Sequence, residues 1–551
     1  MTQAIRARVS EKTITKVTRL FNGSLSDILT ELLQNARRAQ ATAVAVTWGR
    51  DPAHPDDSNK IRISVHDDGR GISDPQSILS MGESDWTAPF SGEDPAGMGF
   101  FSLAGRDVTI TSRSLAGRAW SARINPHDWT GDTDIPVTQA IAPNGTTIQF
   151  TFDLKGSNHV HQALAAAARY YPLPVTLNGE PLDRADWTAN AIHKAQWRGS
   201  TIAVIKNRPE YHSETLNFFG LTIKTPLPDL HDTRRTRYSV IVDIAPNSGL
   251  ALVLPARKEI VQNAAYEELK TAAQLAIFEA IASLGAHHLT YSDWLAASEL
   301  GIELPEASPM LTAWTPETGE PGNRKDAQRI STQSAFLIPD LEPLEAQCLA
   351  RAIDLNRDDD TPELRLACDE PRYTGYTWYD ALPRLEQPLF EIDFGDRSIT
   401  IDAGEPSNEE ATSAEARAIR VILKTTNTAT PQTIVLASDF AAYNDVYSSW
   451  LDNLVMFWTK TDALNPVDVA VLLEAALFTY NDDSDHDSYD TQLSEFQTEA
   501  IETAIRHMGT RANLLAHKIL TKINDLRWSL ADEETVTITL TKAGVDVSVT
   551  A

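Results

Sequence analysis

Cysteine is almost missing: the 551 residues hold two, Cys348 and Cys368. Their spacing matches no zinc pattern and makes no disulfide framework, so a reducing compartment is expected. Long apolar runs are missing too. No stretch reaches the roughly eighteen residues that mark a membrane helix. The opening MTQAIRARVSEKTITKVTRL carries five basic side chains and no apolar core, which argues against a signal peptide. A cytoplasmic protein without a membrane partner is the expectation. Basic residues are scarce beside acidic ones, 48 against 76, for a formal charge of -28. A uniform field of that sign repels nucleic acid and anionic lipid. The imbalance is local, however. Residues 1–300 hold 29 basic and 32 acidic residues, whereas residues 301–551 hold 19 and 44, so charge decides nothing about the first half.

What is there is a chain of 42% hydrophobic and 23% charged residues, too apolar for disorder and too long for a single core. Residues 25–41 place Leu25, Ile28, Leu29, Leu32, Leu33, Ala36 and Ala39 at helical spacing, with Ser24 or Ser26 as cap. AVAVTW (43–48) and KIRISVHDD (60–68) read as strands, 73–96 as a mobile segment, and GMGFFSLA (97–104) as a helix start. DVTITSR, AWSARI and NGTTIQFTFDL then complete an α/β sandwich over residues 1–155. Residues 156–295 read as an α+β domain with a helix from Ala264 to Leu284. Residues 296–551 read as a mixed, largely helical acidic region of one or two subdomains, with helices at 411–424, 464–478 and 493–525 and a terminal strand pair. The acidic run at 480–490 lacks the glycine and glutamate of a calcium loop, so a solvated loop is expected.

Three places in the first domain carry candidate chemistry, and each has an ordinary alternative. Glu31 and Asn35 are four apart and share a helix face. They are either a solvated pair or a general base and a metal ligand. Asp67-Asp68-Gly69-Arg70-Gly71 follows an apolar strand. It is either an Asp-Gly turn or a carboxylate placed to accept a hydrogen bond from an exocyclic amine, with glycines letting the backbone approach a planar ligand. Gly97-Met98-Gly99 is either a plain glycine loop or a cradle of N–H groups for phosphate.

In order and context these segments resemble the GHKL ATPase superfamily, which contains Hsp90, the gyrase B subunit, MutL and histidine kinases and whose nucleotide domain has the Bergerat fold. ELLQNARRA (31–39), DDGRG (67–71), GMGFFS (97–102) and GTTI (145–148) carry the likeness. It implies ATP and Mg²⁺ as cofactors, Glu31 as general base, Asn35 as Mg²⁺ ligand and Asp67 as the adenine-recognising carboxylate. It also implies that Gly71 makes room beside the purine, that Gly69 and Ile72 are among the nucleotide-binding residues, that Thr146 supports Asp67, and that Gly97, Met98, Gly99, Phe100 and Phe101 form the phosphate loop. MGESDW (81–86) resembles the lid, with Ser84 against the nucleotide. One departure stands out: family members of the MutL and Hsp90 kinds usually carry Asp three residues after the magnesium Asn, and this chain has Arg38.

No phosphoacceptor histidine precedes residue 31, which argues against a histidine kinase. The second domain is similar to the transducer of Hsp90, MutL and topoisomerases. On that likeness LVLPARKEIVQN (252–263) offers Arg257 or Lys258 to the γ-phosphate, although a solvated basic pair is the plain alternative. The implied activity is a slow Mg-dependent ATPase acting as an Hsp90-like switch that closes or dimerises on ATP and works on a protein partner. The alternatives are a DNA-associated MutL-like or topoisomerase-like ATPase without nuclease chemistry, with RRTR (234–237) and the basic start at 6–19 as contact patches, and an ATP-sensing scaffold that does not hydrolyse.

Overall fold

The computed structural model describes residues 24–57, 59–78, 99–115, 117–130, 133–154, 160–209, 213–253, 259–316, 318, 328–357, 364–402, 405–406, 412–444, 451–460, 464–483, 487–523, 528–529 and 534–550. The chain divides into two compact units, residues 1–307 and 308–551. Mixed α/β sheets come first, further α/β sheets follow, and a helical stretch lies near the C-terminus.

In the first unit, helix α1 (Leu25–Arg38) starts at a capping box. The Ser24 hydroxyl accepts the Asp27 N–H at 3.2 Å and the Asp27 carboxylate accepts the Ser24 N–H at 2.9 Å, which satisfies two of the orphan amides of a helix start. Arg37 and Arg38 in the last turn oppose the negative end of the helix dipole. The apolar stripe Leu25, Ile28, Leu29, Leu32, Leu33 and Ala36 is buried against a sheet and beside helix α2 (Val160–Ala168).

That sheet has eight strands: β1 (Val44–Arg50), β2 (Lys60–Asp67), β3 (Val108–Arg113), β4 (Trp120–Ile124), β5 (Val137–Gln139), β6 (Gly145–Asp153), β7 (Val175–Leu177) and β8 (Glu180–Pro181). The spatial order is β5-β4-β3-β6-β2-β1-β7-β8, antiparallel except where β1 meets β7. Strand alternation sets its buried face. Across β2, β6 and β3 the rungs Ile63–Phe150–Val108 and Val65–Ile148–Ile110 form an apolar ladder.

A second sheet joins β9 (His193–Trp197), β10 (Ser200–Lys206), β11 (Leu216–Phe218), β12 (Leu221–Ile223), β13 (Asp229–His231) and β14 (Arg237–Asp243) in the order β12-β11-β14-β10-β9, with β13 also on β14. Helix α3 (Ala264–Ser283), capped by Asn263, buries Leu269, Ala273, Ile277 and Ile281 in the same core as Val204, Val240 and Val242.

The second unit corrects the expectation of a largely helical region. Its core is an eight-stranded and a three-stranded sheet packed with helices Pro343–Leu355, Pro466–Leu477 and Tyr489–Met508. The helix expected at 411–424 is instead strands Ala414–Ala416 and Ala418–Thr426. Ile419, Val421 and Leu423 alternate between the two neighbouring strands, so period-2 burial overrides the helix-forming Ala, Glu and Arg around them. The span 493–525 breaks at Gly509 into Tyr489–Met508 and Arg511–Ile523, and the terminal strand pair is the hairpin Thr535–Thr541/Gly544–Thr550. Its rungs Ile538–Val547 and Leu540–Val545 put apolar residues on one face. The described residues of the acidic run at 480–490 are exposed.

Glu345 is the exception inside this unit's core. It is 7% exposed, its Oε1 has no hydrogen-bond partner, and burial, helped by Glu342 and Asp402, pushes its carboxyl up to about 7. A carboxyl whose folded value is raised favours the fold below its unfolded value, and that contribution fades as pH climbs from about 4.5 to about 7. Glu345→Gln is therefore expected to raise the stability of the chain at pH 8 by on the order of 3 kcal/mol and to leave it nearly unchanged at pH 4. Thermal melts of both proteins across that range check this; a pH-independent difference would refute it.

Candidate functional site

The polar residues of the site continue the apolar ladder by one step. Asp67 has the strand parity of Ile61, Ile63 and Val65, and its rung partners are Thr146 on β6 and, beyond it, Ser112 on β3. Thr146 and Ser112 are buried, Asp67 half-buried. Burial pushes the Asp67 carboxyl above its ordinary range, with Asp68 adding to the rise, against the lowering pull of the Gly69 and Thr146 N–H groups. The Gly69 N–H donates to Asp67 Oδ1 at 3.0 Å.

Ser112 is a node that sequence reasoning missed. Its hydroxyl accepts the Ile72 N–H at 2.9 Å, donates to the Gly145 carbonyl at 3.1 Å and lies 3.0 Å from Thr146 Oγ1. Since a serine has one hydroxyl proton, Thr146 is then the donor in the last pair. Trp120, opposite Ser112 on β4, donates from its indole to the Ile72 carbonyl at 2.9 Å. Both backbone groups of Ile72 are thus held by the sheet. The other half of the turn rests on α1, where the Arg70 N–H donates to the Ala39 carbonyl at 2.9 Å.

Gly71 has φ +69, and a Cβ there would stand 2.2 Å from the Arg113 carbonyl oxygen. Its bare backbone is required by β3 itself, whatever lies beside the turn. At Gly69 a Cβ would meet Ala39 at 2.7 Å. Asp68 points away from this rung: it accepts the backbone N–H groups of Thr42 and Ala43 at 2.7 and 3.1 Å and the Thr42 hydroxyl.

On α1, Glu31, Asn35 and Arg38 follow at i, i+4 and i+7 on one stripe. Arg38 donates from Nη1 to Asn35 Oδ1 at 3.0 Å, and the same nitrogen is 3.5 Å from Glu31 Oε1. The other side of α1 is fixed by the second sheet and its approach. Gln34 donates to the Phe219 carbonyl at 2.8 Å, Arg37 stacks 4.0 Å above the Phe219 ring, and the Tyr171 hydroxyl donates to the Leu33 carbonyl at 2.6 Å.

The structure brings the expected residues together in two groups, Glu31 with Asn35 and Asp67 with Gly69, Gly71, Ile72 and Thr146, joined where the turn touches Ala39. Phe100 and Phe101 lie on a short 3₁₀ turn (Gly99–Leu103). The Phe101 ring is buried in the core and both rings pack on Trp129, at 5.5 and 6.2 Å, so their side chains serve the core. Ser84, Gly97, Met98, Arg257 and Lys258 lie outside the described residues, as do the basic start and most of the lid-like segment. Arg237 of the RRTR stretch is paired with Asp229 at 2.8 Å.

A buried-parity carboxylate with one oxygen pinned by an amide is an acceptor set at a fixed place. Among the described residues no cluster of three His, Cys, Asp or Glu could hold a metal ion. The amide oxygen implied as Mg²⁺ ligand already accepts from a guanidinium. A metal at about 2.1 Å from that oxygen would lie within roughly 5 Å of the Arg38 nitrogen. Unit charges at that separation repel by about 3 kcal/mol at an effective dielectric of 20, and a divalent ion doubles it. The arrangement as it stands does not fit Mg²⁺ on Asn35. Among the described residues no helix is long and apolar enough to cross a membrane.

No protein-family model matches the chain, and no curated protein matches it. Among solved structures it is similar to the N-terminal domain of a DNA repair protein, at 14% identity and a TM-score of 0.27, over 46% of this chain and 96% of that one. A likeness of that score carries no argument about the fold or the function.

Proposed function

We propose that the N-terminal α/β region is a Bergerat-type nucleotide domain of the GHKL kind that binds ATP and hydrolyses it slowly, with Glu31 taking the proton of the attacking water. The observation that carries the reading is the Asp67–Thr146–Ser112 rung at the end of an otherwise apolar ladder, under a turn fixed at Ala39, Ser112 and Trp120. A fold gains nothing from a desolvated carboxylate there, whereas an exocyclic amine gives that charge a donor. Glu31 supports the hydrolytic half: it is a carboxylate on the same helix stripe, kept in place by Arg38. The second sheet, docked on α1 through Phe219, is read as a transducer that follows the nucleotide state to a protein partner or a second copy.

The base decides the test. Adenine presents an amine donor where guanine presents a carbonyl acceptor, and a carboxylate repels the latter. Calorimetric titration of the full chain is expected to give ATP an affinity at least about 100-fold above that for GTP. Equal binding of the two would sink the assignment of Asp67.

A further inference from the structure

The two-residue turn that joins β11 to β12, Phe219-Gly220, carries a side chain its geometry disfavours. Both residues have positive φ, 56° and 99°. A hairpin turn of that kind calls for Asn-Gly or Asp-Gly, because the left-handed region is costly for a bulky side chain. The chain has that pair at Asn178-Gly179 between β7 and β8, where φ is 50° and 92°. It departs from it at Arg198-Gly199 between β9 and β10, and there the Arg198 side chain donates to the Ser248 carbonyl at 3.2 Å and pairs with Glu268. Phe219 is the only aromatic residue of positive φ among the described residues. Strain of this sort persists only where the surroundings over-determine it, and it gathers at sites whose function needs it.

The surroundings of this turn do over-determine it. The Gly220 N–H donates to Asn217 Oδ1 at 2.8 Å, and Asn217 Nδ2 donates to Asp243 Oδ1 at 2.8 Å, which anchors the turn on β14. From the other side α1 closes a circuit on it. Arg37 Nε donates to Gln34 Oε1 at 3.3 Å, Gln34 Nε2 donates to the Phe219 carbonyl at 2.8 Å, and the Arg37 guanidinium lies 4.0 Å over the Phe219 ring. Gln34 is buried, so losing that carbonyl would cost a buried donor its partner. Gln34 stands three residues after Glu31 and four before Arg38, on the helix turn that presents Glu31 and Asn35. We propose that Phe219 is a positioning residue of the candidate site, through which the second sheet fixes that turn of α1 and so governs hydrolysis at Glu31. The inference rests on the nucleotide reading above. An Asn-Gly turn would offer Gln34 the same carbonyl without the strain. What the ring adds is its seat under Arg37, which orients Gln34, and an edge-on contact with Phe218 at 6.0 Å. A shift of about 1 Å in a reacting group can cost about 100-fold in rate, so a small loss of hold on α1 is enough.

The test is steady-state ATP turnover of the full chain beside its thermal melt, for the wild type, Phe219→Asn and Phe219→Tyr. Phe219→Asn is expected to lower kcat at least about tenfold and to leave KM within about threefold, since no contact to nucleotide is removed. Asparagine suits the left-handed position, so the turn regains what the lost ring packing takes away. The melting temperature is therefore expected to stay within about 3 °C of the wild type. Phe219→Tyr keeps the ring over Arg37 and is expected to hold kcat within about threefold of the wild type. A Phe219→Asn protein with wild-type kcat overturns the inference and leaves the nucleotide reading intact. So does one that melts lower by about 10 °C or more, because its slow turnover would then follow from a weakened fold. A Phe219→Tyr protein as slow as Phe219→Asn overturns it as well. If the wild type hydrolyses no ATP, the nucleotide reading itself fails and the inference falls with it.

Discussion

Glu31→Ala is expected to lower ATP turnover by about two to four orders of magnitude, the range that a positioned general base contributes. Nucleotide affinity should stay within about threefold of the wild type, since no step of binding is assigned to this carboxylate. The split between the two readouts is what makes the variant informative. Loss of both would mean that Glu31 acts on the fold of α1, where it is paired with Arg38. Glu31→Gln separates these cases, because the amide keeps the hydrogen bond toward Arg38 and cannot take a proton. Turnover absent in both variants with binding retained supports proton abstraction. Turnover near the wild-type rate in Glu31→Gln would refute it.

Much of the first unit could be read along the chain because its signals are local. The 3.6-residue stripe from Leu25 to Ala36 and the alternation of Ile61, Ile63 and Val65 each decide an element without reference to distant residues, and the structure has α1 and β2 there. The site was legible only in part. Asp67 stood out through the glycines that follow it, whereas Ser112 and Trp120 lie in unremarkable strands, and their role depends on register across β3, β4 and β6. A weaker signal was present. Ser112 shares the parity of Val108 and Ile110, as Thr146 shares that of Ile148 and Phe150, and a polar residue ending a buried stripe asks for a polar neighbour.

Other features escaped the sequence for the same reason. The packing of Phe101 on Trp129 depends on a residue whose position no local pattern announces. In the second unit, AEARAIRVIL reads as helix by propensity because Ala, Glu and Arg favour it. Its partners in the sheet, Leu389–Asp393 and Thr433–Ser438, are close in space and impose the strand. The strongly acidic composition of residues 301–551 gave no help, since charge speaks to solubility and association rather than to fold.

Asp67→Asn is expected to separate stability from binding. An ionised carboxylate offers two acceptor oxygens, and an amide offers one. Here Oδ1 already takes the Gly69 N–H at 3.0 Å, so the amide would turn its oxygen there and its NH₂ toward the ligand's amine, donor against donor. Affinity for ATP should fall by at least about 100-fold. The effect on the fold runs the other way. Burial raises the Asp67 carboxyl above its unfolded value, so its contribution to stability is full below that value and is lost as pH rises through the folded one. At pH 7, above the unfolded value, this carboxyl is therefore a burden on the ligand-free fold, and the asparagine protein should melt higher than the wild type there, with the gap closing as pH falls toward 4. Saturating ATP should reverse the order at pH 7, because a ligand stabilises only the protein that binds it. Melting curves at two pH values with and without ATP read all of this; an asparagine variant that melts lower without ligand, or gains as much from ATP as the wild type, would remove Asp67 from the site.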